Sequence, residues 1–263
     1  MNDPYQVRVA QVIRETADAI SIELEVDPAD REAFSYVPGQ FLTVAVPSQT
    51  TGLAARCYSL SSAPHESHRL KITVKRTVEG YASNWLCDNV KEGQLMKVLP
   101  PSGIFTPSHL DDDFLFLAGG SGITPVISIA KAALALGNGQ VVLFYASRDP
   151  ESVIFKDELN ELADRYADRF TVVHWIEVVQ GLPTGEHVGA FAAHFMAYNA
   201  FVCGPTEFTA AAIAALKHLG FPRERRHQEK FVSLGGNPFG DVAEDVSALV
   251  ESDPSGDQVA DTA

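Results

Sequence analysis

The stretch LAGGSGITP at residues 117–125 decides the fold of the second half of the chain. It places a glycine-rich turn directly after the continuous apolar run of residues 114–118. Thr124 can cap a following helix, and Pro125 suits the first position of that helix. Glycines let a backbone approach a pyrophosphate at a helix N-terminus, but an ordinary tight strand-to-helix turn would use the same residues. Proline at 125 breaks the usual G-x-G-x-x-G dinucleotide fingerprint, and isoleucine at 123 excludes a G-x-S-x-G hydrolase elbow.

On both sides of this turn, apolar strands alternate with helices. Strands are predicted at residues 114–118, 141–146, 170–176 and 201–203, and helices at 125–136, 155–166, 189–196 and 207–219. This alternation predicts an α/β domain with a doubly wound parallel sheet, which binds ligands at the carboxyl ends of its strands.

Polar or small residues follow two of these strands. Ser147 and Arg148 follow the second strand, where the adenosine ribose of a dinucleotide would lie. They could bind a 2′-phosphate, which favours NADPH. However, Asp149 follows directly, and a solvated arginine in a loop is the simpler interpretation. The thiol of Cys203, at the end of the fourth strand, leaves room for a flat ring or is a small core residue.

The first hundred residues are rich in short strands. Strands are predicted at residues 5–13, 20–26, 41–46, 56–61, 70–76 and 95–99, with one helix at 82–89. Six strands at this spacing predict a small antiparallel β-barrel. We therefore assign residues 1–108 to a barrel domain and 109–234 to the α/β domain. Residues 235–263 lack periodicity and are predicted to be a disordered, acidic, linker-like tail.

Two barrel motifs carry candidate binding residues. In the strand Arg56-Cys57-Tyr58-Ser59, alternation puts Arg56 and Tyr58 on one face, where they could bind phosphate and stack on a flat ring. A tyrosine on a strand is more often a core residue. Gly80 and Ser83, in GYASNWL, could form a second phosphate cradle at a helix start or could simply cap that helix.

The charge is unevenly distributed. The 263 residues contain 20 Lys and Arg against 34 Asp and Glu, a formal charge of -14. Seven of these acids lie in residues 235–263, which contain no Lys or Arg. This balance argues against nucleic-acid binding and against binding to anionic membrane surfaces, both of which need a basic face.

The three cysteines indicate neither a disulfide framework nor an iron–sulfur or zinc site. Cys57, Cys87 and Cys203 are widely spaced, and no C-x-x-C occurs. We expect a cytoplasmic protein, because free thiols suit a reducing compartment and the N-terminus has no apolar signal core. The longest uncharged run, residues 114–130, is broken by glycines and proline and is not a membrane span. His65 and His68 lie in a turn and are more simply explained as solvated loop residues. The other six histidines form no close pair, so we expect no metal site.

In their order and spacing, R-x-Y-S, G-x-x-S-x-x-L, GGSGITP and CGP resemble the ferredoxin–NADP reductase family. VPGQF at residues 37–41 and LPPSGIF at 99–105 extend the resemblance, which covers about residues 5–234. It implies an FAD-binding barrel followed by an NAD(P)-binding domain. It also implies a ferredoxin–NAD(P)H reductase-type enzyme that moves electrons from NAD(P)H, through FAD, to a one-electron acceptor.

The resemblance implies a role for each matching residue. Arg56, Gly80 and Ser83 would bind the flavin pyrophosphate, Tyr58 would pack on the isoalloxazine, and Ser59 would place its hydroxyl near N5. The nicotinamide nucleotide would lie against Gly120, Gly122, Ile123, Thr124, Pro125, Cys203, Gly204 and Pro205, with Ser147 and Arg148 at its ribose. Glu229 fits the family's terminal acid, and Phe231 its flavin-covering aromatic. Ser59, Cys203 and Glu229 are the predicted catalytic residues.

Residues 231–234, which continue past the predicted flavin-covering aromatic, resemble the reductases of bacterial phenylacetyl-CoA and 3-ketosteroid oxygenase systems. In those proteins a linker leads into a C-terminal plant-type [2Fe–2S] ferredoxin. The C-x4-C-x2-C spacing of such a cluster is absent from this sequence. We therefore expect no iron–sulfur cluster in this chain and a ferredoxin or oxygenase component as acceptor in trans, unless a domain is missing from the sequence.

Other functions use the same motifs. A diaphorase or flavin reductase would reduce small acceptors, a flavin-binding redox sensor would not turn over, and an interaction protein would bind no flavin. A basic stretch formed by Lys217, Arg223, Arg225, Arg226 and Lys230 could dock an acidic ferredoxin, although such charge runs are usually solvated. The acidic tail could compete for this stretch.

Overall fold

Two β-sheets, one antiparallel and one parallel, organise the chain in the computed structural model, which describes residues 4–48, 52–229 and 238–239. The antiparallel sheet contains β1 (Tyr5–Thr16), β2 (Ala19–Glu25), β3 (Phe41–Ser48), β4 (Gly52–Ser59), β5 (Arg69–Lys75) and β6 (Leu95–Ser102). Their order is β4-β3-β6-β1-β2-β5. A bridge between Leu60 and Ile72 joins the two edges, so the sheet closes into a barrel.

The barrel core explains why these segments form strands. Alternate residues such as Ile22, Leu24, Leu42, Val44 and Ile72 are fully buried in one apolar cluster, while their neighbours along each strand point away from it. The helix α1 (Tyr81–Asn89) adds Ala82 and Leu86 to the same cluster.

The parallel sheet contains β7 (Phe114–Gly119), β8 (Val141–Ser147), β9 (Phe170–Ile176), β10 (Asn199–Cys203) and β11 (Arg226–Gln228), in the order β11-β10-β7-β8-β9. Its helices are α2 (Ile123–Leu136), α3 (Lys156–Arg165), α4 (Glu177–Gln180), α5 (Gly185–Ala192) and α6 (Thr206–His218). The helices α2 and α3 pack with Phe114 and Phe116 on one face, and α5 and α6 pack with Leu115 and Leu117 on the other. The predicted two-part fold, a barrel followed by a doubly wound sheet, is confirmed.

Several details differ from the expectations. The strand β4 begins at Gly52 instead of residue 56, and the helix α5 begins at Gly185 instead of residue 189. The strand β11 and the short helix α4 were not predicted, because neither RHQ nor EVVQ shows an apolar period. The helix α2 begins at Ile123, two residues before the predicted start. The domain limits at residues 108 and 234 stay predictions, and the predicted disorder of residues 235–263 lies almost wholly outside the described residues. Within the described ranges, no helix has the length and apolar character needed to cross a membrane.

Candidate functional site

The two sheets meet along an interface that joins the barrel to the parallel-sheet domain. Phe105, which follows β6, packs edge-on against Phe201 of β10, with ring centres 5.1 Å apart. The buried hydroxyl of Ser128, on α2, donates a hydrogen bond of 2.7 Å to the carbonyl of Ser62, beyond β4. These contacts bring the end of β4 towards the carboxyl ends of the parallel strands.

The end of β4 presents the residues predicted to hold a flavin. Arg56 lies opposite Val44 and Tyr58 opposite Leu42 on β3. The Arg56 guanidinium donates to the carbonyl of Ala55 at 2.8 Å and forms no ion pair among the residues that the structure describes. Burial raises the pKa of Tyr58 far above neutrality, so its ring is an uncharged surface.

Cys57 and Ser59 lie on the other side of the strand. Ser59 is buried opposite Phe41. The thiol of Cys57 lies 3.6 Å from the Thr43 hydroxyl. Burial raises the pKa of this thiol, and the negative charge of Glu229 adds to the rise.

Glu229 directly follows β11 at the edge of the parallel sheet. Its backbone N–H donates to the carbonyl of Val202 at 3.1 Å, which fixes it beside the end of β10. Burial raises the pKa of its carboxyl group. Burial also raises the pKa of Cys203 far above neutrality, with a further contribution from Glu229, so that thiol stays protonated and is a small neutral neighbour rather than a nucleophile. When ionised, the Glu229 carboxylate would raise the pKa of one thiol in each domain.

The glycine turn lies beside Cys203, where the strand order reverses between β7 and β10. A Cβ atom at Gly122 would lie 2.1 Å from the Cys203 carbonyl oxygen, so only glycine fits this approach. Gly120 has a φ of +51°, and a Cβ there would meet only the Lys75 ammonium group, at 3.8 Å. The turn therefore leaves an open cradle beside a barrel lysine.

The predicted cap at Thr124 is wrong in detail. A 3₁₀ turn, Gly120–Gly122, runs directly into α2, because the Ile123 N–H donates to the carbonyls of Gly120 and Ser121. Thr124 lies inside the first turn, where its hydroxyl donates to the Ser121 carbonyl at 3.0 Å, and Pro125 is the third residue of the helix.

The start of α1 forms the second predicted cradle. The Ser83 hydroxyl accepts from the Thr77 N–H at 3.0 Å and donates to the Gly80 carbonyl at 3.3 Å, so it holds the preceding turn. Among the residues that the structure describes, no side chain caps the helix at Gly80. The first N–H groups of a nine-residue helix are thus free of side-chain caps, as a phosphate-binding helix start requires.

The end of β8 is tied to the glycine turn and to the barrel. The Tyr145 hydroxyl donates to the Gly120 carbonyl at 3.1 Å. Ser147 is buried, whereas Arg148 is largely exposed. Arg148 pairs with Asp149 at 2.9 Å and, across the domain junction, with Asp18 at 3.6 Å.

The sequence matches two protein families over most of its length. Residues 6–106 match the oxidoreductase FAD-binding domain, and residues 116–213 match the oxidoreductase NAD-binding domain. The chain belongs to the ferredoxin–NADP reductase family.

Individual relatives and structures agree with this family. The chain is 55% identical to the ferredoxin reductase component of 3-ketosteroid-9-alpha-monooxygenase from Rhodococcus rhodochrous, over 89% of this chain and 67% of that protein. It is 33% identical to the reductase subunit of glycine betaine monooxygenase from Pseudomonas aeruginosa, over 95% of this chain and 70% of that protein. The structure of phthalate dioxygenase reductase superposes with a TM-score of 0.71 at 29% identity, covering 86% of this chain and 67% of that one. The chain is thus an oxidoreductase with FAD- and pyridine-nucleotide-binding domains.

Within this family fold, the predicted residues form two main groups. Arg56, Tyr58 and Ser59 lie together at the end of β4 and form the first group. The second group is the glycine turn, with Ile123 to Pro125, and the segment Gly204–Pro205 that leads into α6; a Cβ at Gly119 would lie 3.0 Å from Pro205. Gly80 and Ser83 form a separate turn, and Ser147 and Arg148 lie at the next strand end. Phe231 lies outside the described residues.

Four residues near the site were not predicted: Asp18, Cys57, Lys75 and Tyr145. Tyr145 belongs to a strand that was singled out, but its bond to Gly120 depends on tertiary contact. Asp18 and Lys75, 3.8 Å apart, come from a hairpin turn and a strand end of the barrel that carry no motif. No local signal could have found them.

Proposed function

We propose that this chain takes electrons from a reduced nicotinamide nucleotide and passes them, through bound FAD, to a ferredoxin or an oxygenase component in trans. One observation carries the proposal: the barrel packs directly on the parallel-sheet domain, where Phe105 contacts Phe201 and the Ser128 hydroxyl donates to the Ser62 carbonyl. The strand predicted to hold the flavin and the turn predicted to hold the nucleotide therefore meet at one junction. The ferredoxin reductase components among the relatives support this class of acceptor.

The proposed roles follow from the surroundings of each residue. When bound, FAD accepts a hydride and releases electrons singly. Arg56, which has no carboxylate partner within the described ranges, would bind the flavin pyrophosphate together with the uncapped start of α1. The neutral ring of Tyr58 would stack on the flavin, and the Ser59 hydroxyl would donate to its edge. Glu229, the predicted terminal acid, would be the proton carrier at the end of β11, because burial raises the pKa of its carboxyl group and favours the protonated form.

The number and positions of the three thiols support the prediction that this chain binds no iron–sulfur cluster. Cys57 lies on β4, Cys87 on α1 and Cys203 on β10, and all three are free. A plant-type cluster needs four cysteines, so the electrons would leave this part of the molecule for another centre. Free thiols also favour the predicted cytoplasmic location.

For the nucleotide we propose NADH, which reverses the preference for NADPH that Ser147 and Arg148 favoured in the sequence. The Arg148 guanidinium donates to Asp149 at 2.9 Å and to Ser152 at 2.8 Å, and lies 3.6 Å from Asp18. Its charge is therefore shared by two carboxylates. A 2′-phosphate would have to displace one carboxylate and approach the other, whereas a ribose hydroxyl would not.

The substitution Asp149→Asn tests the proposed preference for NADH. The asparagine side-chain oxygen can still accept from the Ser152 N–H, so the change removes mainly the charge. Removing one charge about 4 Å away changes the energy by about 1 kcal/mol in water, so we expect kcat/KM for NADPH over NADH to rise about fivefold in Asp149→Asn. Binding of 2′,5′-ADP relative to 5′-AMP should rise in parallel. The control is Glu92→Gln, which removes one charge from an exposed residue of the barrel and should leave the ratio unchanged. A wild-type preference for NADPH, or an unchanged ratio, would overturn the proposal.

An anaerobic titration of the purified chain tests the main function. We expect a flavin spectrum that NADH bleaches, followed by reoxidation on addition of a plant-type [2Fe–2S] ferredoxin. A colourless protein would indicate an interaction protein, and a flavin that NADH and NADPH leave oxidised would indicate a sensor. Rapid reduction of dyes or free flavin without any reduction of ferredoxin would establish the diaphorase instead.

A further inference from the structure

A basic cleft lies at the edge of the parallel sheet, between β11 and α6. It has a volume of about 280 Å³ and is lined by Ile213, Lys217, Arg223, Arg226 and Gln228. Alternation along β11 turns Arg226 and Gln228 into the cleft, while the His227 ring stacks on Phe201 on the opposite face, at 4.2 Å.

The cations of this cleft have no carboxylate partners in the described part of the chain. Arg226 donates only to the Pro222 carbonyl, at 3.3 Å, while Lys217 and Arg223 are exposed. The neighbouring Arg225 donates to the Met196 carbonyl at 3.0 Å. Glu224 lies in the same turn but is paired with none of them within the described ranges. The cleft is thus a concentrated positive surface on a chain of net charge -14.

The chain itself carries a complementary polyanion. Residues 241–261, which we call the acidic segment, contain all seven acids of the last 29 residues and no Lys or Arg. The segment begins 13 residues after Gln228, which lines the cleft. A random-coil chain of 13 residues has a mean span of about 20 Å, and a tether of that length gives a millimolar effective concentration.

We propose that the acidic segment binds the basic cleft of its own chain. Charge complementarity and the short connection favour this occupant over a second copy, which would have to bind from micromolar solution. The bound segment would compete with any acidic protein that approaches this edge of the sheet.

Zero-length carbodiimide cross-linking of the full chain tests the proposal, because it joins lysine amines to carboxylates in direct contact. Lys217 is the one amine lining the cleft. We expect mass spectrometry to find Lys217 joined to the acidic segment about tenfold more often than the exposed Lys91 and Lys156. The difference should disappear in 1 M salt, where the Debye length is about 3 Å.

Two controls separate the alternatives. Arg223→Glu should reduce the Lys217 cross-link several-fold, whereas Arg165→Glu, an equally exposed change on α3, should leave it unchanged. A mixture of ¹⁵N-labelled and unlabelled chains should yield cross-linked peptides of one label only. Mixed-label peptides would assign the cleft to a second copy, and equal reaction of all exposed lysines would overturn the proposal outright.

Discussion

Replacing Lys131 with methionine removes the central charge of the contact between the two domains. Lys131, on α2, is only 4% exposed, and its Nζ lies 2.8 Å from both Glu158 of α3 and Glu66 of the barrel. Lys71, on β5, lies 3.3 Å from the other oxygen of Glu158. We call these four residues the interdomain ion cluster. Methionine fills a similar volume, so the change removes mainly the charge.

The magnitude follows from how far each carboxylate can recover its hydration. Removing one partner of a fully buried ion pair costs about 3–5 kcal/mol. Glu158 and Glu66 are 27% and 36% exposed, so water replaces part of the lost interaction, and Lys71 still neutralises Glu158. We therefore expect Lys131→Met to lower the free energy of unfolding by about 2 kcal/mol, below the fully buried range.

Urea unfolding of the FAD-saturated protein measures this effect in each domain. The chain has two tryptophans, Trp85 on α1 of the barrel and Trp175 on β9 of the parallel sheet, so single-tryptophan variants report the domains separately. We expect the two transitions to coincide in the parent and to separate in Lys131→Met, because the coupling between the domains weakens.

Arg69→Met is the matched control. Arg69 pairs with Glu23 at 3.2 Å but is 52% exposed, so its loss should cost less than about 1 kcal/mol. Equal losses in the two variants, or coincident transitions in Lys131→Met, would refute the view that the buried cluster holds the domains together.

Three further predictions concern acid stability, the glycine turn and hydride transfer. Burial would raise the pKa of Glu158, but its two lysine partners outweigh this and hold the pKa below its ordinary value of 4.5. The ionised carboxylate therefore stabilises the fold above pH 4.5, and this stabilisation is lost as the pH falls through the lower pKa of the folded protein. Glu158→Gln should thus flatten the acid limb of a curve of stability against pH. Gly122→Ala should abolish soluble folding or nucleotide binding, because its Cβ would clash with the Cys203 carbonyl. Gly120→Ala should lower the free energy of unfolding by only about 1 kcal/mol of backbone strain, which urea denaturation would measure. Ser59→Ala should slow stopped-flow flavin reduction about tenfold with unchanged FAD content, since it loses one hydrogen bond of about 1.4 kcal/mol; wild-type speed would exclude its role.

Local patterns in the sequence were sufficient for the main architecture. Segments such as residues 114–118 and 170–176 predict parallel strands, and the bounds of the second agree with β9, an edge strand in which only Phe170 is buried. The strand β11 was missed because its three polar residues form a strand only by pairing with β10. The start of α2 was misplaced because the Ile123 N–H bonds to Gly120, a contact that propensities at Thr124 and Pro125 do not report.

The sequence by itself determined the order of the two domains, the glycine turn and the family, because each depends on contiguous residues with a strong local pattern. Only the tertiary structure decided that Asp18 of the barrel faces Arg148 and that Lys131 lies between Glu66 and Glu158. These residues lie far apart in the chain, and charges interact over only a few ångströms in a solvent that screens them. Their contacts therefore exist only after the barrel has packed against the parallel sheet.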